Sequence, residues 1–308
     1  MEIVFIIVAI LILLFFGGTY VIYRFIFYSP IKGQNDIHTL PKGEAYDQIR
    51  EQTFQQIDRL AAIPYEEVFI KSYDGLQLAG KYYHVIDGAP LAICFHGYRS
   101  TAIRDMSGIP DICKGAGLNY LLIDQRAHDK SQGKTITFGV KERYDCVSWV
   151  NYAAARFGEN TPIFLFGISM GAATVLLASA LELPKSVRGI LADCPYTSPA
   201  DIIRKVCKDI KILPKLVYPL IKISARLYGG FSPDAVKVTE AIKQTKIPVL
   251  LIHGEKDSLV PKEMSAEIAN ACPLIEYHLF PNAEHGISGV VDKNRYDHLT
   301  AEFIKKLL

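Results

Sequence analysis

A basic excess is missing from this chain of 308 residues: 34 lysines and arginines stand against 32 acidic residues, a net charge of +2. Domains that bind nucleic acid usually carry a marked positive surplus, so nucleic acid is not expected as the main partner. Paired cysteines are missing too. Cys94, Cys113, Cys146, Cys194, Cys207 and Cys272 lie far apart, with no C-x-x-C pair and no Cys/His spacing suited to zinc. Several sit in apolar runs, as Cys94 does in LAICFHG, where a free cysteine behaves as a small hydrophobe. They read as reduced core thiols of a reducing compartment. No glycine-rich dinucleotide loop follows a strand, since the GAG at 115–117 precedes one. Carboxylate pairs with glycosidase or metal logic, internal repeats and low-complexity tracts are also lacking. Neither a cofactor nor a metal is expected.

Charge of any sign is absent from residues 3–23. A helix of that length can cross a hydrocarbon core of roughly 30 Å. Arg24 and the FIFY after it suit the headgroup region. A cleaved signal peptide fits poorly, because Met1-Glu2 carries no Lys or Arg and no small-residue cleavage site closes the run. The expectation is an uncleaved single-pass anchor. Arg24, Lys32 and Lys42 follow the span and only Glu2 precedes it, which places the larger domain in the cytoplasm. The domain plan is then an anchor over 1–28, a linker and lead-in helix over 29–64, and one domain over 65–308.

That domain alternates short apolar runs with amphipathic stretches. EEVFIKSYDGLQLAGKYYHV reads as a hairpin turning at Asp74-Gly75. LAICF, NYLLID, PIFLF, VRGILAD, IPVLLI and LIEYHLF read as buried strands, separated by helices over 104–115, 141–157, 170–181, after Pro261 and up to Leu308. Strands alternating with helices imply an α/β fold, with a mostly parallel central sheet covered by helices on both faces. Sites in such sheets collect at the carboxyl ends of the strands.

One of those ends reads FGISMGAATVLL. Ser169 stands between Gly167 and Gly171, where a buried strand hands over to a helix. Such a turn merely needs glycine, or else it exists to hold up a nucleophile. The second reading explains both glycines, because a sharp strand-to-helix elbow leaves no room for side chains beside the strained central residue. A serine hydroxyl needs a general base. Among eight histidines, His285 lies in a polar loop, PNAEHGIS, directly after a strand. The orienting acid is read as Asp257 in HGEKDSLVP, with Glu255 and Asp193 as weaker alternatives. Ser169, Asp257 and His285 follow one another in the chain order of a hydrolase triad. The oxyanion donors are expected to be the N–H of Met170, next after the serine, and that of Tyr98 in the HGYRS loop. His96 is expected to order that loop by hydrogen bonding.

Taken together, HGYRS, GISMG, HGEKDSLVP and AEHG resemble the α/β-hydrolase superfamily over about residues 65–308. The resemblance is to membrane-anchored bacterial members of serine-aminopeptidase-like or of acylglycerol-lipase and lysophospholipase-like type. It departs from them at DQRAHDKS, residues 124–131, where Ala127 and Asp129 replace two glycines of a D-x-R-G-H-G-x-S loop. The insertion over about 195–246 occupies the position of that superfamily's cap. Residues 201–230 carry Arg204, Lys205, Lys208, Lys211, Lys215, Lys222 and Arg226 against Asp201 and Asp209, with apolar residues between them. This reads either as a cap packed under a solvated basic face, or as a lid that shelters an acyl chain and rests on anionic headgroups. The resemblance implies a serine hydrolase that cleaves carboxylic esters, lysophospholipids or acylglycerols included, through an acyl-enzyme. A peptidase acting on small peptides and a non-catalytic membrane scaffold are the alternatives. With the triad wholly in the later domain, a chain beginning near Gln34 is expected to stay soluble and active.

Overall fold

The computed structural model describes residues 1–29 and 37–308. Lys32, part of the orientation argument, and Gln34 lie outside the described residues, as does the start of the 29–64 linker. The strands are β1 (Glu66–Lys71), β2 (Gln77–Tyr83), β3 (Leu91–Phe95), β4 (Asn119–Asp124), β5 (Ile163–Ile168), β6 (Val187–Asp193), β7 (Val249–Gly254) and β8 (Ile275–Phe280). The first helices are α1 (Glu2–Ile26), α2 (Glu44–Ala61), α3 (Ala102–Asp105), α4 (Ile109–Ala116), α5 (Glu142–Phe157) and α6 (Met170–Ala178). They are followed by α7 (Pro199–Asp209), α8 (Pro214–Ser224), α9 (Val238–Ala241), α10 (Lys262–Asn270), α11 (Ser288–Val291) and α12 (Lys293–Leu307).

The strands form one sheet in the order β1-β2-β4-β3-β5-β6-β7-β8. Only the β1/β2 and β2/β4 pairs are antiparallel. Asp74-Gly75 makes the first hairpin, with Gly75 at φ +86°, a conformation that costs glycine little. The single helix expected over 104–115 is two, because Pro110 opens α4 at a position that suits the first turn of a new helix.

Alternation along the strands divides the core in two. Leu91, Ile93 and Phe95 of β3 join one apolar cluster with α5 and α6, while Ala92 and Cys94 join another with α4 and α12. Trp149, fully buried, fills the first face; Phe303 and Ile304 fill the second. All six cysteines are buried and free.

α1 is exposed from Glu2 to Gly18 and is long and apolar enough to cross a membrane. Its last turns behave differently. Thr19, Tyr23 and Phe27, spaced by four residues, all face inward, and Phe27 is 0% exposed against Phe138 and Phe231. Tyr28 bridges to Thr135, and the Ser29 N–H donates to the Lys134 carbonyl at 2.9 Å. A boundary at residue 28 therefore cuts through packed contacts. A chain beginning near Gln34 would leave an aromatic-sized hole in the larger domain.

Candidate active site

Ser169 closes β5 and precedes α6 with φ 55° and ψ −113°, a strained conformation for a residue that bears a side chain. The two glycines leave space for it. A Cβ on Gly167 would overlap the backbone of Gly171, and one on Gly171 would overlap the Phe95 carbonyl of β3. The elbow is held from the neighbouring strand, where the Asp193 carbonyl accepts from the Ser169 N–H at 2.8 Å.

Three side chains from three loops meet at this carboxyl edge. His285 Nε2 lies 2.8 Å from Ser169 Oγ, and His285 Nδ1 lies 2.7 Å from Asp257 Oδ2. The other oxygen of Asp257 accepts the N–H of Leu259 at 3.0 Å and of Val260 at 2.8 Å. Burial pushes the Asp257 carboxyl pKa up, but hydrogen bonds from His253 and His285 outweigh it and hold the group down at about 2. The weaker candidates fall elsewhere. Glu255 faces Lys262 at 3.3 Å. Asp193 makes no hydrogen bond to His285 among the described residues, and burial pushes its pKa up to about 6.

His253, the first residue of HGEKDSLVP, is a further member of the site. It is completely buried, four residues before Asp257, with Nε2 2.8 Å from the Val260 carbonyl and 3.1 Å from Asp257 Oδ2. A carbonyl only accepts, so Nε2 carries a proton, and Nδ1 lies 2.6 Å from the Ser265 hydroxyl. His253 thus fixes the carboxylate from behind. Tyr46 of α2 is a second addition, donating from its hydroxyl to the His285 carbonyl at 3.0 Å.

The amide of Met170 is the first of α6 and has no intrahelical acceptor. The Tyr98 amide has no acceptor among the described residues. The loop carrying it is braced from several sides. Asp105 accepts the Gly97 N–H at 2.7 Å and also the Ser100 hydroxyl. His96 is wholly buried, with Nδ1 on the Gly97 carbonyl at 2.8 Å and Nε2 accepting the Gln125 N–H at 3.2 Å. Burial and the neighbouring His128 press its pKa far down, so it stays neutral. His128 Nε2 accepts the Arg99 N–H at 3.1 Å. Ala127 at φ 64° and Asp129 at φ 38° keep the left-handed backbone that glycines would adopt. Arg126 locks this loop to Asp74 at 2.9 Å and to Asp145 at 2.6 Å.

The HGYRS loop also holds α1. Tyr98 donates from its hydroxyl to the Ile26 carbonyl at 2.7 Å, and the Arg99 guanidinium donates to the Phe25 and Tyr28 carbonyls at 2.8 and 3.0 Å.

Ser169 and His285 open into a cavity of about 270 Å³. Its apolar wall includes Ile109, Ile112, Ile168 and Val290, and Leu40, Pro41 and α2 cover it. Among the described residues, none of 195–246 lines it. The expected lid over the acyl site is therefore not where the insertion sits. Cys194, Asp257 and His285 place donor atoms within 4.8 Å of one another. They suit a metal ion poorly, since Asp257 is already engaged by two histidines and burial raises the Cys194 thiol far above its usual range.

Residues 90–234 match the family described as serine aminopeptidase, S33, and residues 204–287 match the FSH1 serine hydrolase family. The uncharacterised protein YqkD of Bacillus subtilis is 24% identical over 83% of this chain and 82% of its own length. Human protein ABHD12B is 26% identical over 59% of this chain, a match that spans 49% of that protein. In three dimensions, the Pyrococcus furiosus esterase Pf2001 superposes with a TM-score of 0.64 and 25% identity, covering 81% of this chain and 93% of its own. Est1E of Butyrivibrio proteoclasticus, at 19% identity, shares the fold with a TM-score of 0.61, covering 78% and 98% of the two chains.

Proposed function

We propose that this chain is a serine hydrolase of the α/β-hydrolase superfamily that cleaves carboxylic esters through an acyl-enzyme, with Ser169, His285 and Asp257 as its triad. The observation that carries this reading is the unbroken line of hydrogen bonds from Ser169 Oγ through His285 to Asp257, at 2.8 and 2.7 Å. In the proposed reaction His285 Nε2 takes the serine proton as Oγ attacks the ester carbonyl. The N–H groups of Tyr98 and Met170 receive the oxyanion, each such donor being worth about 3 kcal/mol. His285 then protonates the departing alkoxide, and a water activated by the same imidazole releases the acid. Asp257, ionised down to about pH 2, holds the ring and stabilises its charged form throughout.

An ester is favoured over a peptide by the cavity. Of its three lining carboxylates, Asp105 holds the Gly97 and Ser100 groups and Asp297 pairs with Lys293, while Asp193 is only 2% exposed, with one oxygen unpartnered and its pKa pushed up by burial to about 6. A free carboxylate to hold a substrate's amino terminus would be required of an aminopeptidase. The mostly apolar wall suits a small acyl or alcohol portion, acylglycerol and lysophospholipid being the lipid candidates. We read α1 as a single-pass anchor that leaves the catalytic domain in the cytoplasm, since Arg24 and Lys42 follow the span. Turnover measured across short acyl esters, lysophospholipids and aminoacyl amides tests the substrate class. Esters should dominate, and a preference for aminoacyl amides would overturn the reading in favour of the peptidase.

A further inference from the structure

The insertion over 195–246 buries one side and leaves the other bare. Ile202, Ile203, Tyr218 and Ile221 are in the core, whereas Ile210, Leu213, Leu216 and Leu227 are each more than half exposed. The exposed cations Lys208, Lys211, Lys215 and Arg226 have no carboxylate partner among the described residues. The other cations of residues 201–230 do: Lys205 pairs with Asp209, Arg204 with Asp201 and Asp234, and Lys222 with Asp234. An apolar strip flanked by unpaired positive charge marks a contact site, and its charge calls for an anionic occupant.

The occupant follows from what lies beside the strip. α8 and the π-helical turn Ala225–Gly229 pack directly on α1. Tyr228 meets Tyr20 and Tyr23 at ring distances of 5.2 and 5.7 Å and donates from its hydroxyl to the Phe16 carbonyl at 2.9 Å. Only residues 2–15 of α1 are therefore clear of the contacts that Tyr228 makes. At ~1.5 Å per residue they reach about 21 Å, short of the roughly 30 Å of a hydrocarbon core. If α1 crosses a bilayer, the missing depth is made up by Phe16–Tyr23, the stretch that lies against Tyr228.

We propose that the exposed face of α7, α8 and the π turn is itself immersed in the anionic leaflet that α1 crosses. Leu213, Leu216, Leu220 and Leu227 enter the acyl-chain boundary, and Lys208, Lys211, Lys215 and Arg226 reach up to headgroup phosphates. The proposal rests on the reading of α1 as a membrane span. It turns the insertion from a lid into a second foot beside the anchor. Because Tyr98 and Arg99 hold the last turn of α1, the oxyanion loop is kept close beneath the same leaflet.

Tryptophan fluorescence of the full-length protein in vesicles tests this, since the single native Trp149 is fully buried and its signal can be subtracted. Phe5→Trp in α1 and Leu216→Trp in α8 are each reconstituted into phosphatidylcholine–phosphatidylglycerol vesicles, with and without brominated acyl chains. Both should be quenched at least twofold by bromine. Quenching at 216 should strengthen with phosphatidylglycerol, and the gain should vanish when Lys208, Lys211 and Lys215 are replaced by Gln, each such residue being worth roughly fivefold in affinity for an anionic surface. Quenching at position 5 without quenching at 216 would overturn the immersed cap and leave the anchor standing. Absence of quenching at both would remove the anchor and the proposal together. Quenching at 216 that ignores lipid charge and the glutamines would refute the headgroup contact.

Discussion

Replacing Phe27 by alanine should destabilise the hydrolase domain, although the residue ends the apolar helix at the far N-terminus. Its ring is 0% exposed and meets Phe138 and Phe231 edge-on at centroid distances of 5.9 and 5.1 Å. Truncating a phenylalanine so placed removes its transfer free energy and leaves a cavity, a loss of about 3–5 kcal/mol. For a domain of this size that lowers Tm by roughly 5–15 °C. Phe25, two residues earlier and 78% exposed, is the internal control. Its alanine variant should stay within about 0.5 kcal/mol of the parent. Thermal unfolding of the full-length protein in a mild detergent, followed by near-ultraviolet circular dichroism, reads both. Equal, small shifts for the two variants would refute the argument that the end of α1 belongs to the domain core.

Three further outcomes follow from the site. Asp257 is held at about 2 against an ordinary value near 3.8, so its contribution of about 2 kcal/mol is fully present above pH ~4 and is lost as pH falls toward 2. Asp257→Asn should flatten that stretch of the acid-unfolding curve, and an unchanged curve would count against the assignment. Gly171→Ala should fail to fold or lose more than about 4 kcal/mol, because the added methyl has backbone in its way; chemical denaturation decides it. Tyr98→Phe removes the hydroxyl bonded to the Ile26 carbonyl but spares the amide proposed as an oxyanion donor. A hydrogen bond worth about 1 kcal/mol should cost roughly fivefold in kcat with KM little altered, and an unchanged kcat would show that the tie does not position the loop.

How far the sequence could be read depended on whether each feature is local. The elbow around Ser169 is legible because its steric demand falls on Gly167 and Gly171 within one turn of chain. The strands are legible because β3 and β4 are apolar on both sides, as a sheet covered on two faces requires. His253 was within reach: it stands four residues before Asp257 in the motif that drew attention to the acid. The packing of α1 was masked by its own composition, since a membrane helix and a core helix are both apolar. Only the Thr19, Tyr23, Phe27 stripe marks the end that turns inward. The cover of the cavity was not legible at all, because Tyr46 meets His285 across 239 positions and nothing near Tyr46 announces it. The basic insertion drew the lid expectation by its position in the chain, yet its apolar contacts lead to α1.

Covalent labelling tests the central claim most directly. A fluorophosphonate probe needs an activated serine, so the parent protein should carry one adduct, located by mass spectrometry on Ser169. Ser169→Ala should lose the adduct while keeping its Tm, and His285→Ala should label slower by several orders of magnitude. An adduct on another residue, or undiminished labelling of Ser169→Ala, would contradict the account.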